Sequence, residues 1–205
     1  MSTWAIVVAG GSGERFGERK QYQRLGGVRV LDWALRAAGD HADGVVLVVP
    51  ADLADGPEPQ ASMVVPGGDT RSASVRAGLA AVPPDATTIV VHDAARPVPV
   101  PEVWQRVLAA VAAGADAAVP GVPVVDTLRE VGGSTVDRSR FVAVQTPQAF
   151  RADALRAAHA ESAEGTDDAS LVEAGGGRVV VVDGDPANLK ITTPFDLAVA
   201  ELLCR

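Results

Sequence analysis

Trp4-Ala5-Ile6-Val7-Val8-Ala9-Gly10-Gly11-Ser12-Gly13-Glu14-Arg15-Phe16-Gly17-Glu18-Arg19-Lys20 is the stretch from which the fold can be read. The apolar run Trp4–Val8 reads as a buried strand. Gly10, Gly11 and Gly13 let the backbone turn sharply and approach a ligand closely. Bare N–H groups in such a turn can form a concave anion site. Arg15 and Lys20 then place cations just beyond it. Together these residues suggest a grip on a polyphosphate. An ordinary glycine-rich turn with solvated charges is the competing reading, and the stretch alone leaves both open. Two familiar fingerprints fail. Counted from Gly11, the third glycine of G-x-G-x-x-G falls on Phe16, and no Gly-Lys-Ser or Gly-Lys-Thr of a P-loop occurs.

The chain of 205 residues fits a single domain, residues 1–205, large enough to bury a sizeable core. A formal charge of −8 argues against general nucleic-acid binding, so an anionic ligand must meet local cations. The only cysteine, Cys204, rules out an internal disulfide and a cysteine-rich metal site. No apolar run approaches the roughly 18 residues of a membrane span. The start of the chain lacks the pattern of a secretory signal. The expectation is a soluble cytoplasmic protein.

Apolar runs alternate with helical patterns. Leu31, Ala34, Leu35 and Ala38 have helical spacing. Val45–Val49 reads as a second buried strand stopped by Pro50, and Asp52–Gln60 as a surface loop. Met63–Val65 reads as a short third strand. Val75, Leu79 and Val82 mark a helix face ending before Pro83-Pro84. Thr87–Val91 is the fourth strand. Val103, Val107, Leu108 and Val111 mark another helix, and Ala115–Val119 a further strand. Pro123–Glu130 and Phe141–Val144, around Gly132-Gly133, look like a two-stranded arm at about residues 122–145. An isolated ribbon is marginal in water, so a second subunit is a candidate to cover it. Leu155 and Ala158 suggest a helix after Phe150, Ala169–Ala174 a shorter one, and Arg178–Val182 a strand. Pro194 opens a last helix with Thr193 as its cap. This alternation implies an α/β fold of three layers, a mainly parallel twisted sheet flanked by helices.

In an open parallel sheet, ligands bind beyond the carboxyl ends of the strands. The polar segments gather there: Gly10–Lys20 after the first strand, Gly67–Ser74 after the third, His92–Arg96 after the fourth. Asp93 directly follows a buried strand, where it can hold Mg²⁺ or act as a turn aspartate or helix cap. His92 reads as a packed or hydrogen-bonded histidine, and His41 and His159 as surface residues. Gly67-Gly68 leaves space for a flat base, with Asp69, Arg71 and Ser74 around it, or forms a plain turn into a capped helix. Lys190, between Leu189 and Ile191, faces away from their side. It is either a solvated strand lysine or one that the Asp185–Asn188 turn aims back across the pocket.

Motifs in order along nearly the whole chain resemble those of the 2-C-methyl-D-erythritol 4-phosphate cytidylyltransferases. They are the Ala9–Lys20 loop with Gln21-Tyr22, Gly67–Val75, Val91–Pro97, Asp126-Thr127, Thr146-Pro147-Gln148, Thr166–Ala169 and Asn188–Thr192. The resemblance implies a Rossmann-like nucleotidyltransferase fold and transfer of CMP from CTP to methylerythritol phosphate, with release of pyrophosphate. It implies Arg15, Lys20, Arg138 and Lys190 as catalytic groups and Asp93 as the Mg²⁺ ligand. It assigns CTP to Ala9, Gly10, Gly11, Gly13, Gly67, Gly68, Asp69, Ser74 and Ala94. The sugar phosphate falls to Arg96, Thr127, Arg138, Thr146, Thr166 and Lys190. Arg138 in the arm would reach the neighbouring subunit's site, which makes a homodimer part of the function. Two departures stand out: Arg19 where the family commonly has proline, and Gly10 where alanine is usual. Arg19 either loosens the loop or adds a phosphate contact.

Three alternatives accompany this reading. A ribitol-5-phosphate cytidylyltransferase shares fold and chemistry, but Asp93–Arg96 and Thr166–Ala169 look closer to the methylerythritol enzymes. A dinucleotide-binding oxidoreductase is disfavoured by the failed fingerprint. A non-catalytic nucleotide-binding regulator is disfavoured by the joint presence of Arg15, Lys20, Asp93 and Lys190.

Overall fold

Side chains of each central strand sort alternately onto two apolar faces, and this sorting builds the layers. The computed structural model describes residues 2–10, 16–17, 19–160 and 164–204. In chain order it forms β1 (Thr3–Val8), a small hairpin of β2 (Arg24–Leu25) and β3 (Val28–Arg29), α1 (Val30–Gly39), β4 (Gly44–Val49), β5 (Met63–Pro66) and α2 (Arg71–Ala81). Next come β6 (Thr88–Asp93), α3 (Pro101–Ala112), β7 (Ala117–Pro123), β8 (Val142–Val144) and β9 (Gln148–Arg151). The chain closes with α4 (Ala152–His159), α5 (Asp168–Ala174), β10 (Val179–Asp183) and α6 (Pro194–Leu203).

Ala5 and Val7 of β1, Leu47 of β4 and Val90 of β6 pack with Leu35 of α1 and Trp104 and Val107 of α3. Ile6, Val48, Ile89 and Val91, one step out of phase, pack with Val75 and Leu79 of α2, Leu155 of α4 and Val172 of α5. A slip of one residue in any of these strands would exchange the two sets, so the register is strongly specified. Among the described residues the strands of the main sheet run β10-β7-β9-β6-β1-β4-β5, with β8 beside β7. β1 is parallel to β4 and β6, β4 to β5, and β7 to β10. β9 is antiparallel to β6 and β7, and β8 to β7. This is the expected three-layer, mainly parallel α/β sheet. Val8 is in register with both Val48 and Asp93, so β1, β4 and β6 end at one rim.

Several sequence expectations are corrected. The arm is an extension of the main sheet: Gly121, Val122 and Pro123 of β7 pair with Val144, Ala143 and Val142 of β8. Beyond them only the Arg129–Thr135 bridge and bonds such as Val136 N–H to Leu128 O (3.0 Å) link the two sides. The strand expected at Ala115–Val119 spans Ala117–Pro123, because Gly114 (φ +97°) and Ala115 complete the turn out of α3. β9 and the β2–β3 hairpin were not expected. Gly26 and Gly27, at φ +59° and +88°, make the tight hairpin turn that brings Leu25 into a small core with Val30, Ile191 and Ala200. His159 is buried, at 5% exposure, rather than on the surface. Thr193 caps α6 as expected, in a reciprocal box with Asp196. No helix among the described residues is long and apolar enough to cross a membrane.

Candidate active site

Asp93 ends β6 with its carboxylate nearly covered, 8% exposed, and faces three cations. Lys190 Nζ lies 2.7 Å from Oδ2, Arg71 Nε 3.6 Å from Oδ1, and Arg96 Nε 3.9 Å from Oδ2. Burial alone would raise the Asp93 pKa, but Lys190, Arg71 and Arg96 outweigh burial and hold the carboxyl far below the usual range. It is therefore ionised at any working pH. Positive charge remains in excess around it, which suits an incoming anion in a chain that is acidic overall.

Each cation arrives from a different segment. Ile191 N–H donates to Ala95 O (2.8 Å), and its fully buried side chain anchors the segment after Asn188. Lys190, on the opposite side of that backbone, is thereby turned onto Asp93. The solvated-strand alternative for Lys190 is set aside by this contact. Arg96 Nη1 donates to Asn188 O (2.7 Å), and Asn188 Nδ2 donates to Thr146 O (2.9 Å). Burial lowers the Arg96 pKa, partly opposed by Asp93. Arg71 opens α2 and donates through Nη1 to the fully buried Asp168 (2.7 Å).

Behind Asp93 lies a neutral hydrogen-bond chain. The Asp93 N–H donates to Thr146 Oγ1 (3.0 Å), so the Thr146 hydroxyl is left to donate to His92 Nδ1 (3.2 Å). His92 must then carry its proton on Nε2, which donates to Arg96 O (3.2 Å). Burial pushes the His92 pKa down to about 4, which keeps the ring neutral.

The glycine segments meet at the same rim. Gln21 Nε2 donates to Ala9 O (2.6 Å) and ties the Lys20–Tyr22 turn to the end of β1. Lys20 is close enough to Asp196, at the cap of α6, to help lower its pKa. Ser74 Oγ accepts from Gly68 N–H (3.2 Å) and donates to Thr70 O (2.9 Å). A Cβ on Gly67 would stand 2.9 Å from Ser74 Oγ, and one on Gly68 2.5 Å from Ala73 Cβ. Both glycines are thus required by the close seat of α2, whether or not a base lies over them. A Cβ on Gly10 would stand 3.4 Å from the same Ser74 Oγ, an ordinary contact. Ala94 is buried, its N–H donating to Val8 O (3.1 Å), while Asp69 is exposed at the loop tip.

Three other expected site residues are exposed. Thr127 and Arg138 are exposed on the arm, where Arg138 Nη1 donates to Val125 O. Thr166 is exposed just before α5. Gly11, Gly13 and Arg15 lie outside the described residues. Arg19 forks onto Asp52 at 2.8 and 3.1 Å. Sequence reasoning gave no role to Asp168 or Asn188 and saw Arg71 only as a polar neighbour of a base. Asp168 and Arg71 are 97 residues apart, and no local pattern connects them.

An α/β sheet whose strand ends gather a glycine turn, a buried carboxylate and an excess of cations defines a nucleotidyltransferase. The family model described as 2-C-methyl-D-erythritol 4-phosphate cytidylyltransferase matches residues 3–205. A relative of that name from Nocardia farcinica is 45% identical, over 98% of this chain and 94% of its own. Another from Saccharopolyspora erythraea is 46% identical, over 98% of both. A crystal structure of the enzyme from Thermus thermophilus superposes with a TM-score of 0.84 at 39% identity, covering 100% of both chains. The chain belongs to the 2-C-methyl-D-erythritol 4-phosphate cytidylyltransferase family, whose reaction is CTP-dependent cytidylyl transfer to methylerythritol phosphate in isoprenoid biosynthesis. Membership sets aside the ribitol phosphate, oxidoreductase and regulator alternatives.

Proposed function

We propose that transfer takes place at the Asp93 rim, where the methylerythritol phosphate oxygen attacks the α-phosphorus of CTP in line and pyrophosphate leaves. The observation that carries this reading is the Asp93 carboxylate held between Lys190, Arg71 and Arg96. Such chemistry needs no covalent intermediate with the protein, only alignment and neutralisation of charge. Lys190 and Arg96 converge from two segments on the space where two anionic substrates must approach each other. Lys20 and Arg15, from the first loop, are read as the groups that stabilise charge on the phosphorus and the departing pyrophosphate. The Gly10, Gly67 and Ser74 backbone region is read as the seat of the cytosine, with Ala9, Gly68, Asp69 and Ala94 serving CTP as well.

Mg²⁺ fits these residues in a particular way. Among the described residues no group of three His, Cys, Asp or Glu side chains could hold a metal ion alone. Mg²⁺ asks for only one or two carboxylates when phosphates and waters complete its shell. Asp93 is ionised and is the residue that would hold the ion. When bound, Mg²⁺ would supply positive charge that offsets the charge of the phosphates.

The arm is read as the contact of a homodimer, with Arg138 reaching the partner's site, Thr127 and Thr166 serving the sugar-phosphate side, and the buried Thr146 supporting Asp93 from behind. Exposed Val125, Val131, Phe141, Val142 and Val144 support an apolar partner there. The setting is read as cytoplasmic, where CTP is available. Pyrophosphate release with CTP and methylerythritol phosphate, compared with ribitol phosphate and with the other nucleoside triphosphates, tests the reading. Faster turnover with ribitol phosphate or UTP would contradict it.

A further inference from the structure

Asp168 is fully buried, and Arg71 links it to the Asp93 rim. It opens α5, and its two oxygens look in opposite directions. Oδ2 accepts from Arg71 Nη1 at 2.7 Å, and Oδ1 meets His159 Nε2 at 3.0 Å. Arg71 in turn sets its Nε 3.6 Å from Asp93 Oδ1, on the side of the carboxylate away from Lys190 at Oδ2. The two oxygens of Asp93 are therefore oriented by different cations.

We infer that Asp168 is a positioning residue for the transfer reaction, holding the Arg71 guanidinium so that it orients the Asp93 carboxylate toward the nucleotide phosphates. An arginine side chain at a helix start has several rotamers open to solvent. A buried carboxylate that captures one arm of its fork selects a single one. His159 completes the pair on the far side, and His159 of α4 and Asp168 of α5 are both buried. Gln148 adds a second tie, donating from Nε2 to Asp167 Oδ2 (3.0 Å), so the start of α5 is pinned both to β9 and to α2. Asp168 thus sits where it can transmit the placement of α5 to the reacting centre. Burying a charge this deeply costs stability unless it is well paired, and Arg71 supplies that pairing, so the two side chains hold each other in place.

This inference rests on the reading of Asp93 as the reacting centre, and the test keeps the two apart. Steady-state kinetics are measured on the full chain with CTP, Mg²⁺ and methylerythritol phosphate. Asp168→Asn and Arg71→Gln should each lower kcat about 30-fold, with KM for methylerythritol phosphate changed less than about threefold. The double variant should lose no more than about threefold beyond the worse single one, since both remove the same aimed cation. Arg71→Lys keeps the charge but cannot span two carboxylates, and should stay within about threefold of Arg71→Gln. Losses that multiply in the double variant, or an Arg71→Lys enzyme with wild-type kcat, overturn the inference. Should Asp168→Asn not fold, the Arg71→Lys and Arg71→Gln comparison decides alone. Asp93→Asn runs alongside: nearly full activity there sinks the reading of the centre, whereas its collapse beside normal Asp168→Asn and Arg71→Gln enzymes sinks only this inference.

Discussion

The rim around Asp93 and the arm that leaves β7 are built in opposite ways. At the rim, charged side chains are answered within the same chain, and Asp93 and Arg96 are covered as well. Asp93 meets Lys190 and Arg71, Arg71 meets Asp168, and Arg96 meets the Asn188 carbonyl. On the arm, Val125 and Val131 stand 77% and 106% exposed, and Phe141 47%. One region answers its charges from its own chain. The other carries apolar surface that its own chain does not cover, and the geometry of Thr127 and Arg138 depends on what lies against it. The contrast teaches where a single chain determines function and where a second copy would have to.

The largest effect should come from Asp93→Asn, which keeps shape but removes the charge that the rim encloses. Turnover should fall roughly 1,000-fold, measured as pyrophosphate release at saturating substrates. A loss below about tenfold would mean that the covered rim is not where transfer occurs. Lys20→Ala should follow, with kcat lowered about 100-fold while calorimetric affinity for CTP changes only a few-fold. Equal losses in both would reduce Lys20 to ground-state binding.

The arm should respond differently. Arg138→Ala should raise KM for methylerythritol phosphate roughly tenfold with a smaller change in kcat. Mixing that variant with Asp93→Asn chains should restore activity in mixed dimers, if the arm serves a neighbour. No recovery on mixing, in dimers verified by sedimentation, would make the arm as self-contained as the rim.

The smallest effect concerns the neutral chain behind Asp93. His92 has its pKa lowered from 6.5 to about 4 by burial, so its neutral form is the one the fold prefers. Its contribution to stability should be complete above pH 6.5 and decline as pH falls from there toward about 4, by about 3 kcal/mol in all. Asp93, with its pKa lowered, loses its own contribution only below its ordinary value of 3.8, outside that window. His92→Gln should flatten the pH dependence of Tm between those limits. An unchanged slope would place the titration elsewhere.

Much of this was legible in the sequence, for a physical reason. Buried parallel strands are apolar on both faces, so Trp4–Val8, Val45–Val49 and Thr87–Val91 announce themselves, and the polar segments after them fall at one rim. Thr193 and Pro194 announce α6 by local capping chemistry. What stayed hidden depends on contacts distant in the chain. Lys190 stays open between a solvated strand lysine and one aimed across the pocket until Ile191 docks on Ala95. His159 reads as a surface histidine until Asp168 covers it. Arg71 and Asp168 carry no mutual signal across 97 residues. β9 was missed because a short antiparallel strand, with Gln148 inside it, lacks the apolar run that marks its parallel neighbours.

A crystal structure of the full chain with CTP and magnesium tests the account most directly. The account predicts the triphosphate beside Asp93, with Lys190 and Lys20 within about 4 Å of phosphate oxygens and Arg71 still held by Asp168. A triphosphate seated in any other hollow, with the Asp93–Lys190 pair undisturbed and far from it, would contradict the account.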